Sequence, residues 1–135
     1  MNSHIIAVRR DMLIVHLIHE YLNPPMTDVF PVIDDFGHLV GMVKAKDASR
    51  VPKYRRNLEQ VIDIMIQKSD LIIMNTENTV DDVLKHMGRK RSERVAFICD
   101  QKGKLTGLIS KRDIKNAAIE RKHHVEAVHV TSRGS

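Results

Sequence analysis

The residues of this chain best suited to chemistry lie in the stretch 105–113, Leu-Thr-Gly-Leu-Ile-Ser-Lys-Arg-Asp. Ser110 and Asp113 stand at the spacing of a helix capping box, in which the serine hydroxyl accepts the N–H of Asp113 and the carboxylate accepts the N–H of Ser110 in return. Lys111 and Arg112 flank the same expected helix start, as Lys44 and Lys46 flank an earlier one. Unpaired N–H groups at a helix start already favour anions, so these cations could meet phosphates. An ordinary solvated face is the simpler account of any one of them. The densest basic run, Arg89-Lys90-Arg91 with Arg94, admits a polyphosphate or nucleic acid, and a charged loop between helix and strand explains it more simply.

His16, His19 and Glu20 read His-x-x-His-Glu rather than the zincin order His-Glu-x-x-His, and no third convergent ligand is visible. No metal site is assigned. His123, His124 and His129 belong to a polar tail that suggests adventitious metal binding at most. Cys99 is expected to pack as a small apolar residue at a strand end. Nothing assembles a nucleophile, a base and an oxyanion site, so no enzyme is expected.

The chain has 135 residues, 42% of them apolar, with no Trp, two Tyr and three Phe. Its core must therefore be built from Ile, Val, Leu and the seven Met, and ring-stacking platforms for single-stranded nucleic acid are hard to assemble. The formal net charge of +5 favours phosphate-bearing partners without choosing among them. No base-reading element is apparent, so nucleic acid is not expected as the partner. A single cysteine rules out an internal disulfide and fits a reducing compartment. No apolar run approaches the ~20 residues of a membrane span, and the N-terminus lacks a signal-peptide core, so a soluble, cytoplasmic chain is expected.

The elements that must position these residues occur twice. Gly37, Leu39, Gly41 and Asp47 recur 66 positions later as Gly103, Leu105, Gly107 and Asp113. In the first copy, residues 5–8 read as a strand. Ile14, Leu17, Ile18 and Tyr21 fall at i, i+3, i+4, i+7 and predict a helix that Asn23-Pro24-Pro25 ends. Residues 29–33 and 38–43 predict two strands joined by the hairpin turn Asp34-Asp35-Phe36-Gly37, with a helical turn at Asp47. The second copy repeats this order: strand 71–74, helical stripe Val80, Val83, Leu84 and Met87, then strands 95–99 and 104–109. Between the copies, Lys53, Arg55 and Arg56 are expected to keep a connector solvated, and Leu58, Val61, Ile62 and Met65 to form a short amphipathic helix.

A doubled strand-helix-strand-strand-helix unit, with Pro31-Val32-Ile33-Asp34 before Gly37-His38-Leu39-Val40-Gly41-Met42-Val43 and Asp47 four residues on, resembles the cystathionine-β-synthase (CBS) domain, and two in tandem resemble a Bateman module. The resemblance covers residues 4–118. It implies a regulatory module that binds an adenosyl compound (AMP, ADP, ATP, S-adenosylmethionine or NAD) in clefts between paired sheets, and that often pairs into dimers. The family motif is Gly, two apolar residues, Ser or Thr, two further residues, then Asp, and Gly107, Ser110 and Asp113 match it fully. It implies that Asp113 holds the ribose hydroxyls with Ser110 assisting. An ionised carboxylate offers only acceptors, so it can take both hydroxyls of a cis-diol. In the first copy Gly41 and Asp47 match, while Lys44 replaces the hydroxyl residue and either removes that site or turns it toward phosphate; Phe97 stands where the first copy has Pro31. Tyr21-Leu22, Phe30-Pro31-Val32, Gly41-Met42-Val43, Arg50-Val51-Pro52 and Val61-Ile62-Asp63-Ile64-Met65 further resemble the CBS pairs appended to site-two-protease-like membrane metallopeptidases.

The expected fold is α/β (α+β), with two pseudo-symmetric β-α-β-β-α units packed through their sheets. Repeat 1 is placed at 1–50, a connector at 51–68, repeat 2 at 69–120 and a polar tail at 121–135. The expected ligand residues are Asp113, Ser110, Asp47, Lys44 and Arg112, with Ile72, Ile73, Val95 and Ala96 lining an apolar slot for the base. No cofactor is required, a homodimer and an attached or partner effector are expected, a ligand-free dimerisation or docking module is the alternative, and nucleic-acid binding through the basic surface is the lesser alternative.

Overall fold

The computed structural model describes residues 5–75, 82, 95–110, 128–129 and 132–133. The first expected strand is split about Ala7: β1 (Ile5–Ile6) pairs with β10 (Ser132–Arg133), whereas β2 (Val8–Arg9) pairs parallel with the next strand of its own unit. That unit, essentially Ile6–Lys68, carries the sheet β2, β3 (Val29–Ile33), β4 (Leu39–Lys44) and β5 (Ile66–Gln67), in that order. The other unit, essentially Ser69–Ser132, carries β6 (Ile72–Met74), β7 (Val95–Cys99), β8 (Leu105–Ser110) and β9 (Val128–His129), again in order. The architecture is mixed α/β, with one four-stranded sheet per unit besides the two-stranded β1–β10 pair.

The two hairpins are the same hairpin. Val29 faces Lys44, Pro31 faces Met42 and Ile33 faces Leu39; Val95 faces Ser110, Phe97 faces Leu108 and Cys99 faces Leu105. Even the register shift recurs, between Val32 and Ile33 in one and between Ile98 and Cys99 in the other. The turn explains this identity. Asp34 Oδ1 accepts the N–H groups of Phe36 and His38 at 2.8 and 3.0 Å, and Asp100 Oδ1 accepts those of Lys102 and Lys104 at 2.8 and 2.9 Å. Each turn closes through a glycine in the left-handed region, Gly37 at φ +86° and Gly103 at φ +87°, where a side chain would be strained.

Each sheet gains a fourth strand that the sequence pattern does not predict. β5 pairs with β4 at Gly41 and Met42, and β9 pairs with β8 at Gly107 and Leu108. Gly41 is required here because a Cβ would lie 2.6 Å from the Ile66 carbonyl oxygen.

In the first unit the main core cluster lies on one face of the sheet, and Pro31 and Met42 on the other face are buried as well. Val8, Phe30, Val32 and Val43 meet Ile14 and Leu17 of α1 (Ile14–Tyr21), Ala45 and Ala48 of α2 (Ala45–Ser49), and Val61 of α3 (Val61–Ile64). The stripe predicted for α1 is the buried one: Ile14 and Leu17 are fully buried, Ile18 and Tyr21 pack at its edge, and the Tyr21 ring tilts against Phe30 at 5.9 Å. The corresponding stripe of the second copy lies outside the described residues, although Asp82 within it is helical.

The segment after α2 departs from expectation. Its helix is the single turn α3, and of the four expected apolar residues only Val61 is fully buried, while Leu58 and Ile62 are exposed. Backbone bonds to the start of the unit set this orientation: Val61 and Ile62 donate to the carbonyls of Met12 and Arg10 at 2.8 and 2.9 Å. The same segment caps α1. Leu13 offers no side-chain cap, and the N–H groups of Ile14 and Val15 donate instead to the carbonyls of Glu59 and Arg56 at 2.9 and 2.7 Å. Arg56 is correspondingly not a solvated charge. Its guanidinium donates to the Val51 and Ser49 carbonyls at 2.8 and 3.1 Å, tying the end of α2 to the capping segment.

Two predictions follow from these contacts. Hydrogen bonds from a charged donor contribute about 1.5–3 kcal/mol, so Arg56→Met should lower the unfolding free energy by roughly that amount in urea titration. An unchanged midpoint would show that Arg56 carries no such load. At the turns, desolvation opposes the effect on Asp34, but the N–H groups of His38 and Phe36 and the His38 ring hold its carboxyl below the usual range. The N–H of Lys104 leads in doing the same for Asp100, aided by Lys102. A lowered folded-state pKa gives stability that is complete above the unfolded carboxylate range and is lost as pH falls toward the folded value. Asp34→Asn/Asp100→Asn keeps the turn acceptors, so its urea midpoint should fall less steeply than wild type between about pH 6 and pH 3. An equally steep acid limb would place the sensitivity elsewhere.

Candidate functional site

Ser110 is the last residue of β8, and its partner across the hairpin is Val95 at the first position of β7. Beside them, Ala96 sits between Ile72 on the parallel side and Ile109 on the antiparallel side, and Phe97 pairs with Ile73 and Leu108. Five of the nine expected residues thus share one end of the second sheet. Alternation divides them, because successive residues of a strand point to opposite faces and paired residues point the same way. Ile73, Val95 and Ser110 share a face with Phe97 and Leu108, while Ile72 and Ala96 lie on the opposite face with Ile109. Ile72, Val95, Ala96 and Phe97 are buried, whereas Ile73, Leu108 and Ser110 are half-buried and reach solvent.

The first sheet shows the same arrangement with different chemistry. Lys44, half-buried, ends β4 opposite Val29 and shares its face with Pro31 and Met42. It also takes the N-cap position of α2 without making a side-chain cap. The Ala45 N–H donates to the Asp28 carbonyl at 2.9 Å, which holds the start of α2 against the entry to β3. Asp47 follows in the first turn of α2, its carboxylate 3.8 Å from the Arg50 guanidinium. Both groups are open to water, so this pair is weak and leaves the carboxylate able to accept other donors.

Asp113, Arg112 and Lys111 lie outside the described residues, as do Arg89, Lys90, Arg91, Arg94, His123 and His124. His16, His19 and Glu20 are exposed along α1, and among the described residues no three His, Cys, Asp or Glu side chains converge as a metal site. Cys99 is buried at the end of β7. No helix among the described residues is long and apolar enough to cross a membrane. Leu108 was not among the expected site residues; counting back by two from Ser110 along β8 finds it.

A family model described as "CBS domain" matches residues 1–54 and 61–120. Inosine-5′-monophosphate dehydrogenases of Haemophilus influenzae and Pasteurella multocida are 28% and 30% identical over 88 residues, which is 65% of this chain and 17% of each relative. Among solved structures, the CBS domain of a bacterial CNNM/CorC family Mg2+ transporter superposes with a TM-score of 0.71 at 20% identity, covering 83% of this chain and 66% of that one. The CBS-pair protein CBSX2 of Arabidopsis thaliana gives 0.66 at 20%, covering 89% of both chains. The cytosolic domain of the Mg2+ channel MgtE, solved in complex with ATP, gives 0.67 at 19%, covering 85% of this chain and 45% of that one. The repeated hairpin is therefore that of a known repeat, and the chain belongs to the CBS domain family, with two CBS repeats in tandem.

Proposed function

We propose that the chain is a regulatory module that binds an adenosyl nucleotide on the Ile73, Val95 and Ser110 face of its second sheet. The observation that carries this reading is Ser110 itself, a half-buried hydroxyl at the end of β8, three residues before Asp113 and on one face with half-buried Leu108 and the buried side chains of Val95 and Phe97. In this reading Asp113 accepts both ribose hydroxyls, Ser110 supports it, and Arg112 meets phosphate. Ile73 and Leu108 flank the base, while Ile72 and Ala96, which face the other way, serve the site through their main chain. The ATP of the MgtE domain supports an adenine nucleotide as ligand class.

The first sheet would host the unequal partner site. Lys44 supplies a cation where Ser110 supplies a hydroxyl, and Asp47 supplies the carboxylate, so phosphate weighs more in binding there. Ligand binding shifts a two-state equilibrium only through its difference in affinity between the states, and a cytoplasmic homodimer passing that shift to an attached or partner effector completes the proposal. The second reading is a ligand-free dimerisation or docking module. It is favoured by Lys44 at one site and by the fully buried Phe97 at the other.

Calorimetry with AMP, ADP, ATP, S-adenosylmethionine and NAD separates the two. At least one compound should bind. Asp113→Ala should weaken it about 10- to 100-fold and Ser110→Ala about two- to tenfold, as expected for loss of a charged and a neutral hydrogen bond respectively. Failure of every adenosyl compound to bind would favour the docking module, whereas tight binding that ignores Asp113→Ala would sink the site and keep the function.

A further inference from the structure

Residues 121–135 read from the sequence as a polar tail, yet Val128–His129 is β9, the fourth strand of the sheet that carries the candidate site. β9 pairs antiparallel with β8, His129 opposite Gly107 and Val128 opposite Leu108. Ser110 lies two residues further along β8 and shares a face with Leu108. The tail therefore attaches to the very strand that presents the hydroxyl. Strand pairing joins main-chain N–H and C=O groups, so this attachment does not depend on which side chains the tail carries.

The first unit fills the same place with a different piece of chain. β5 pairs with β4 at Gly41 and Met42, the positions that recur 66 residues later as Gly107 and Leu108. β5 follows α3 directly, and α3 is tied down by the bonds of Val61 and Ile62 to the carbonyls of Met12 and Arg10. β9 is instead drawn from the tail. On its other side β8 pairs with β7 from Leu105 to Ser110, whereas β9 adds partners at two residues. An element with so little pairing opens locally at a free energy well below that of global unfolding. With β9 away, the edge of β8 is unpaired and the strand is held on one side only. A ligand that grips Leu108 and Ser110 then loses affinity to the ordering of that strand. Its affinity is higher for the paired form, and it shifts the equilibrium toward pairing by that difference.

We propose that β9 is a ligand-linked strap: an adenosyl nucleotide on the second sheet fastens Val128–His129 onto β8, and its departure releases the segment for an effector to sense. This rests on the reading of Leu108 and Ser110 as ligand contacts and adds the route by which occupancy leaves the site. The test is hydrogen exchange of the full chain, followed by mass spectrometry of peptides spanning 128–129, with and without ATP at about 100 times the Kd from calorimetry. Linkage suppresses opening by a factor approaching 1 + [L]/Kd, so exchange there should slow at least about tenfold. Because linkage is reciprocal, Val128→Pro/His129→Pro, which removes the N–H groups of the strand, should weaken ATP by about fivefold or more. His129→Ala keeps its N–H and should bind like wild type. ATP that binds wild type and leaves exchange at 128–129 unchanged overturns the strap and keeps the nucleotide site, and so does a proline variant that binds like wild type. A loss in His129→Ala as large as in the proline variant assigns the effect to a side chain and also overturns the strap. Failure of every adenosyl compound to bind overturns the site itself, and the strap with it. The exchange measurement on wild type decides the matter even where the prolines unfold the chain.

Discussion

The constraint on which the candidate site depends is the register of a hairpin. In a strand, a slip of one residue carries every side chain to the opposite face. Asp34 and Asp100 prevent that slip by gathering two backbone N–H groups each, and Gly37 and Gly103 complete the turn in a conformation other residues avoid. Everything downstream inherits that register. Ser110 faces Val95 and Lys44 faces Val29 because both hairpins are fixed in the same way at the far end.

Symmetry of backbone combined with asymmetry of side chains gives the module its character. The two sheets have equivalent positions at the strand ends, but one carries a hydroxyl on the face of Phe97 and the other a lysine on the face of Pro31. Two equivalent positions of unlike chemistry can respond to different ligands, or to one ligand at different concentrations.

Much of this was legible in the sequence because it rests on local rules. Alternation and the Asp-x-x-Gly turn located both hairpins to within a residue, and the spacing of Ile14, Leu17, Ile18 and Tyr21 gave the buried side of α1. What escaped was set by distant partners. β5 and β9 are two residues long and too short to show a period, and the second lies 62 positions after the first, outside the 66-residue repeat. Arg56 reads as a surface charge because its acceptors are carbonyls, which sequence does not distinguish. The expected slot residues Ile72 and Ile73, like Val95 and Ala96, are chain neighbours, and chain neighbours in a strand cannot line one face.

In the proposed function, the hairpin register places the ligand on one particular face of the second sheet. It is tested most directly by backbone amide shifts recorded while ATP is added to the labelled chain. The largest saturable changes are expected at Ile73, Val95, Leu108 and Ser110, with smaller ones at Lys44 and Asp47. Shifts confined to the helix-covered positions of the first unit, such as Leu17, Phe30 and Val43, or no saturable shift in either sheet, would contradict it.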